Sequence, residues 1–125
     1  KGTILIEVRF PPDFPRNPFF VRIVRPRFVM YTGHITAGGS VCIQALTTGS
    51  SPSNWQSDYS LSGILALVAT NMLDDEKIQV RTATGPGGMS GPARVDMRMA
   101  IHEYSEHEAQ AAFSRMLQHH TTNGW

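Results

Sequence analysis

A lone cysteine ends the run His34-Ile-Thr-Ala-Gly-Gly-Ser-Val-Cys42, and it is the residue of this chain best suited to covalent chemistry. Gly38 and Gly39 precede it and predict an irregular backbone that approaches a neighbour closely. A single cysteine cannot form a disulfide within the chain, so its thiol is either buried in the core or displayed for reaction. A displayed thiolate is a strong nucleophile and a good leaving group, which suits acyl transfer.

Two helices are predicted downstream of this cysteine. After Trp55 and Tyr59, apolar residues recur at helical spacing from Leu61 to Met72, and Ser60 is a suitable N-cap. We interpret Trp55 and Tyr59 as packing residues that fix the loop over the site. A second helix is predicted from Ser105, because Ser105-Glu-His-Glu matches the capping box, and it should end between residues 118 and 122.

Two strands are predicted before the cysteine. Residues 2–10 and 19–25 are rich in β-branched and aromatic side chains, and the proline-rich residues 11–18 join them. The short connection makes the strands antiparallel, so we expect an α+β fold with helices packed on one side and one end of a β-meander. Residues 26–54 should be mostly loop, with a short extended piece at 40–43, and should carry the functional surface.

Length and charge limit the classes of function. A chain of 125 residues with 41% apolar residues is expected to form a single domain over residues 1–125. Its net charge of +1 generates no global field that would recruit nucleic acid or an anionic membrane, and no apolar stretch approaches the ~20 residues of a membrane span. The unpaired cysteine favours a reducing compartment, the cytoplasm or the nucleus.

Several motifs carry a resemblance to ubiquitin-conjugating enzymes. Phe10-Pro-Pro-Asp-Phe-Pro-Arg-Asn-Pro resembles their F-P-x-x-[YF]-P-x-x-P signature, and Cys42-Ile-Gln-Ala-Leu, followed by a tryptophan and a helix, resembles their catalytic segment and crossover helix. The Q-type branch is more similar still, because it shares the glycine pair, the segment Trp55-Gln-Ser-Asp-Tyr-Ser and a final Asn123-Gly-Trp. The glycine-rich run is also similar to Q-like domains that follow an ADP-ribosyltransferase module in some fungal proteins.

The resemblance implies both a fold and an activity. In the family a helix and a first strand precede the sheet, so we expect this chain to be an N-terminally truncated fragment of a larger protein. Cys42 would accept ubiquitin or a ubiquitin-like protein as a thioester from an activating enzyme and pass it to a lysine, usually with a ligase and without a cofactor. We expect an exposed thiol of modest reactivity, because Arg25, Arg27 and His34 are close to it only along the chain.

Other candidate site residues are indicated where this sequence differs from the family pattern. Most members carry an H-P-N motif whose asparagine organises the site, whereas here His34 is followed by Ile35 and Thr36. Candidate oxyanion donors are therefore the hydroxyls of Thr36 or Ser40, His34 itself, or the backbone N–H groups of the Gly38-Gly39 substrate loop. Asp74 or Asp75 could position the incoming lysine, and the alternative for both is a solvated helix end.

The ligase-binding loops also differ from the family pattern. Phe14 lies in the proline-rich signature, but Arg16 stands where many members carry an aromatic residue after Pro15. The polar loop between Cys42 and Trp55 is longer than in the Q-type branch. We therefore expect any ligase contact to be atypical.

Two other functions remain open at this stage. The missing H-P-N asparagine favours a catalytically inactive module of the same fold that binds ubiquitin or a partner. A cysteine hydrolase pairing Cys42 with His34 would need an additional group that orients the histidine. No metal site is expected, because the remaining histidines lack the spacing of a ligand set: His102, His107, His119 and His120.

Overall fold

Two strands and two helices form the regular structure of the computed structural model, which describes residues 2–30, 32–73 and 92–125. The elements are β1 (Leu5–Arg9), β2 (Phe20–Arg25), a single 3₁₀ turn (Gln44–Leu46), α1 (Leu61–Leu73) and α2 (Glu106–Asn123). The α+β class is confirmed. Neither α1 nor α2 is long and apolar enough to cross a membrane.

The strands pair antiparallel, as predicted, with Val8 opposite Val21. β1 begins at Leu5, so the prediction of a strand from residue 2 was wrong at that end. On the other edge of β2, Ile23 donates its N–H to Gly39 O at 2.8 Å and Val41 donates to Val21 O at 3.1 Å. The extended piece predicted at 40–43 therefore lies beside β2, although it makes only isolated bridges to its neighbours.

Helix α1 supplies one wall of the core. Ile64, Val68 and Met72 are buried at helical spacing and belong to the same apolar cluster as the buried residues of β2. Ser60 Oγ accepts the N–H of Gly63 at 3.0 Å, so the predicted N-cap is confirmed. The periodic apolar stripe predicted this helix because it needs only one face to be covered.

Helix α2 begins with the predicted capping box. Ser105 Oγ accepts the N–H of Glu108 at 3.1 Å, and the Glu108 carboxylate accepts the N–H of Ser105 at 2.9 Å. Arg27 ties this end to the strand region by an ion pair with Glu108 at 2.7 Å and by lying 4.5 Å over the ring of buried Tyr104. The helix ends at Asn123, one residue beyond the predicted range.

Candidate active site around Cys42

The backbone around Cys42 folds back on itself beside β2. Cys42 donates its N–H to His34 O at 2.7 Å, and Ile35 bridges to Val41. His34 adopts a left-handed conformation, with φ of 59°, directly after Gly33 at φ of 63°. This turn directs residues 39–43 along the strand edge and fixes where the cysteine emerges.

The glycine pair allows two close contacts. A Cβ on Gly38 would lie 2.1 Å from the carbonyl oxygen of Glu108 in α2. Gly39 has a φ of +92°, and a Cβ there would lie 2.5 Å from the ring of Tyr104. The predicted close approach is therefore confirmed, but the neighbour is the protein's own helix. Both glycines are buried, and the expectation that residues 26–54 carry the functional surface stays a prediction.

Cys42 is buried rather than exposed. Only 6% of its surface is accessible, and it forms a small apolar cluster with Met116, Phe113 and Leu117 of α2. Burial raises the pKa of the thiol to about 12, since the thiolate would lose its hydration. The prediction of an exposed thiol was wrong because a helix remote in sequence lies over it.

One imidazole reaches the sulfur. Cys42 Sγ lies 3.6 Å from His120 Nε2, and His120 Nδ1 lies 2.8 Å from Gly124 O. A carbonyl oxygen can only accept, so Nδ1 carries the proton and, in the neutral ring, Nε2 faces the thiol as an acceptor. The ring also stacks on Trp125, with centroids 3.9 Å apart and planes 3° apart. The backbone and the tryptophan thus fix both the tautomer and the orientation of His120.

The Cys42–His120 pair was not predicted from the sequence. The two residues are 78 positions apart, and we considered His120 only as a metal ligand. The one available signal was its place four residues before Gly124 in the Asn-Gly-Trp ending that resembles the Q-type branch. Chemically, the pair can transfer the thiol proton to Nε2 and generate a thiolate.

The hydroxyls proposed as oxyanion donors bind one another. Thr36 Oγ1 and Ser40 Oγ are 2.6 Å apart, and the Thr36 N–H donates to Ser40 O at 2.9 Å. Both residues are buried, and Ser40 has no accessible surface. Their contacts close the turn that holds the glycine pair. A role for Thr36, Ser40 or His34 at an oxyanion stays a prediction.

An aromatic cluster joins the loop after Cys42 to the proline-rich loop. Trp55 is buried and donates its indole N–H to Pro15 O at 2.8 Å. Its ring meets those of Tyr59, Phe19 and Phe14 at centroid distances of 5.6, 5.4 and 6.1 Å. In the structure Trp55 and Tyr59 are packing residues that join the two loops.

A shallow open groove lies beside the aromatic cluster. Its lining comes from both loops: Asp13, Pro15, Arg16, Trp55, Gln56 and Ser57. Phe14 is partly exposed next to it, so the two residues predicted for ligase contact, Phe14 and Arg16, lie in one region of the surface. The groove is edged by charged and polar groups rather than by an aromatic side chain at position 16.

The long loop after Cys42 is organised by a residue that the sequence analysis missed. Asn54 is buried; its amide N–H group donates to Thr47 Oγ1 at 3.0 Å, and its carbonyl accepts the N–H of Ser51 at 3.1 Å. A Cβ on Gly49 would lie 2.6 Å from Asn54 Oδ1, so the loop closes tightly around this amide. The extra length is therefore folded onto Asn54.

Two further predictions concern the acids and metal binding. Asp74 and Asp75, the candidate lysine-positioning residues, lie outside the described residues. Across the part of the chain that the structure describes, no three histidine, cysteine or acidic side chains are grouped so that they could hold a metal ion.

Comparison with known proteins gave several relatives but no matching family model. The chain is 29% identical over 122 residues to "Ubiquitin-conjugating enzyme E2 Q1" of Homo sapiens, covering 98% of this chain and 24% of that protein. It is 28% identical over the same length to a Q-like ubiquitin-conjugating enzyme protein of Homo sapiens, of which it covers 63%. A Q-like ubiquitin-conjugating enzyme protein of Drosophila melanogaster is 27% identical over 123 residues, 33% of its length.

The alignments cover nearly the whole of this chain but less than two thirds of each of these relatives. The chain is thus similar to Q-type ubiquitin-conjugating enzymes over nearly its whole length, and its α+β structure is consistent with a partial ubiquitin-conjugating fold.

Proposed function

We propose that this chain is a ubiquitin-conjugating domain in which Cys42 carries ubiquitin, or a ubiquitin-like protein, as a thioester. The observation that supports this most directly is the Cys42–His120 pair, whose cysteine lies in the segment that resembles the family's catalytic segment. A cysteine needs an adjacent proton acceptor to react at neutral pH when burial opposes its ionisation. His120 Nε2 is such an acceptor.

Loading begins with proton transfer from the Cys42 thiol to His120 Nε2. The sulfur then attacks the C-terminal glycyl carbonyl of ubiquitin held as a thioester on the activating enzyme. A new S–C bond forms at Cys42, the bond to the activating enzyme's sulfur breaks, and that sulfur leaves as a thiolate. In the second half, a neutral lysine amine attacks the same carbonyl, and the Cys42 thiolate leaves and takes up the proton that the nitrogen loses, giving an isopeptide bond and the free thiol.

A second candidate function is a non-catalytic module of the same fold that binds ubiquitin or another partner. The burial of Cys42 favours it, because a thiol with 6% of its surface accessible and a pKa of about 12 is unreactive as long as α2 covers it. The carrier function therefore requires that, after proton transfer to His120, the sulfur be uncovered before it attacks the thioester of the activating enzyme.

The pairing of Cys42 with His34, which the hydrolase hypothesis expected, is not supported by the contacts of the cysteine. The imidazole on its sulfur belongs to His120, and a backbone carbonyl, that of Gly124, orients it. The expected pairing partner, His34, accepts the Cys42 N–H through its backbone.

We further propose that a ligase, where one takes part, contacts the groove beside Arg16 and Trp55. The groove combines one acidic and one basic side chain with the edge of a buried indole. A ligase surface that fits this groove carries charges complementary to Asp13 and Arg16. It does not need the groove for an aromatic side chain that the resemblance implies for ligases of most family members.

The function is tested with the full-length protein, activating enzyme, ATP and ubiquitin. We expect an adduct that reductant cleaves, that Cys42→Ser converts to a reductant-stable ester and that Cys42→Ala abolishes. His120→Gln, which keeps a polar side chain of similar size, should slow loading at neutral pH. The difference in loading rate from the wild type should become smaller as the pH rises. Absence of any adduct, together with ubiquitin binding to the folded protein, would assign the chain to the binding module.

A further inference from the structure

The N-terminal half of α2 is firmly attached to the rest of the protein. Its capping box, the Arg27–Glu108 ion pair and the contact between Gly38 and the Glu108 carbonyl all lie in the first turn. Ala109 and Ala112 are buried in the next turns, and Phe113 meets Phe20 edge-to-face at 5.4 Å. These contacts hold this half of the helix independently of Cys42.

The C-terminal half of α2 is attached much more weakly. Met116 is the last buried residue of the helix, and residues 121–125 are exposed. Beyond Phe113, three residues of this half-helix cover or bond Cys42: Met116, Leu117 and His120. These contacts cover the thiol and at the same time attach the half-helix to the protein.

Local stability follows buried contact. A segment with few buried apolar contacts and a run of exposed residues opens at a lower free energy than the core, without global unfolding. Unwinding residues 116–125 takes Met116 and Leu117 off the Cys42 sulfur, and it carries away the imidazole with the proton that it has accepted from the thiol. Phe113 and the first turns of α2 stay in place. A closed state and an open state of the thiol are therefore available within one folded protein.

We propose that residues 116–125 form a gate over Cys42 and that a latch within the gate, the stacking of Trp125 on His120, stabilises its helical, closed conformation. The latch has two parts, the parallel rings 3.9 Å apart and the hydrogen bond between His120 Nδ1 and Gly124 O. Trp125 is 45% exposed, so a binding partner can contact this ring directly. This inference rests on the proposed function for its biological meaning, since the gate would regulate loading of Cys42.

The gate is tested by alkylation of Cys42 with iodoacetamide, followed by intact-protein mass spectrometry. Cys42 is the only cysteine of the chain, so one added mass reports one site. Trp125→Ala should accelerate alkylation about threefold to tenfold, the effect of losing one aromatic contact. Trp125→Phe keeps a stacking ring and should stay near the wild-type rate. Gln118→Ala, an exposed change within the same half-helix, should also leave the rate unchanged.

The urea dependence of alkylation in the wild-type protein gives a second test that needs no variant. Opening of residues 116–125 exposes little surface, so the logarithm of the rate should rise with urea on a slope well below the m-value of global unfolding. A slope equal to the global m-value would overturn the gate. The gate would also be overturned if Trp125→Ala were alkylated at the wild-type rate, provided that circular dichroism shows the same melting transition for both proteins.

Failure of the gate and failure of the proposed function are distinguishable. Alkylation requires neither ubiquitin nor activating enzyme, so it reports the gate even if no thioester forms. If loading occurs and Trp125→Ala accelerates neither alkylation nor loading, the carrier function stands and the gate is refuted. If alkylation responds as expected but no adduct forms, the gate stands and the binding module replaces the carrier.

Discussion

Substituting alanine for Gly38 should separate α2 from the Cys42 turn and uncover the thiol. The new Cβ would lie 2.1 Å from Glu108 O, 2.7 Å from Glu108 C and 2.8 Å from the Ala112 Cβ. The first two are backbone atoms of a helix, so no side-chain rotation can relieve the contact. To reach even 3.0 Å, the shortest separation that Cβ atoms tolerate, the helix must retreat by about 1 Å.

Gly38→Ala should destabilise the folded protein. Overpacking typically costs about 1–3 kcal/mol, and a clash with helix backbone belongs at the upper end of that range. Replacing glycine also restricts the unfolded chain, which returns about 0.4–1 kcal/mol. We therefore expect Gly38→Ala to lower the free energy of unfolding by about 2 kcal/mol, a large part of the roughly 5–15 kcal/mol of a typical domain.

The matched control is Gly63→Ala in the first turn of α1. There the nearest atom is the Ser60 side-chain oxygen at 3.0 Å, and no backbone atom outside the helix is close. Alanine favours a helix over glycine by about 0.5–1 kcal/mol, so this variant should be as stable as the wild type or slightly more stable. The same chemical change thus has opposite expected signs at the two positions.

The assay is urea unfolding followed by far-ultraviolet circular dichroism, with Cys42 alkylation measured in parallel without urea. We expect a lower midpoint and faster alkylation for Gly38→Ala alone. If Gly38→Ala matches Gly63→Ala in stability and its thiol stays protected, α2 does not press on the glycine turn. The account of why the cysteine is buried would then be incorrect.

Two further changes test the thiol's burial and the long loop. Burial raises the pKa of Cys42 from 9.0 to about 12, so the stability due to the neutral thiol is complete below pH 9 and is lost as the pH rises toward 12. The free energy of unfolding should fall more steeply with pH above 9 in the wild type than in Cys42→Ala, by up to about 1.4 kcal/mol per unit, and equal slopes would contradict the burial. Asn54→Ala leaves the buried partners at Thr47 and Ser51 unpaired and should cost about 1–3 kcal/mol in thermal or urea unfolding, whereas an unchanged midpoint would show that solvent replaces the amide.

The regular elements could be predicted because their determinants are local. The apolar stripe of α1, the Ser105 capping box and the β-branched strands each depend on residues within a few positions of one another. The N-terminal boundary of β1 was less well predicted. Thr3 and Ile4 have strand-like side chains, but they have no pairing partner in the described structure. Pairing is a tertiary property that composition does not carry.

Residue types and their local spacing were enough to identify Cys42 as the reactive candidate and to require that the glycine pair approach a neighbour closely. The packing of the fold was needed to establish that this neighbour is α2, that the same helix buries the sulfur, and that His120 faces it. These contacts join residues 78 positions apart, so they depend on how the helix packs against the strand edge, which no local spacing encodes. The cysteine's identity is local information, whereas its burial, pKa and base are consequences of the fold.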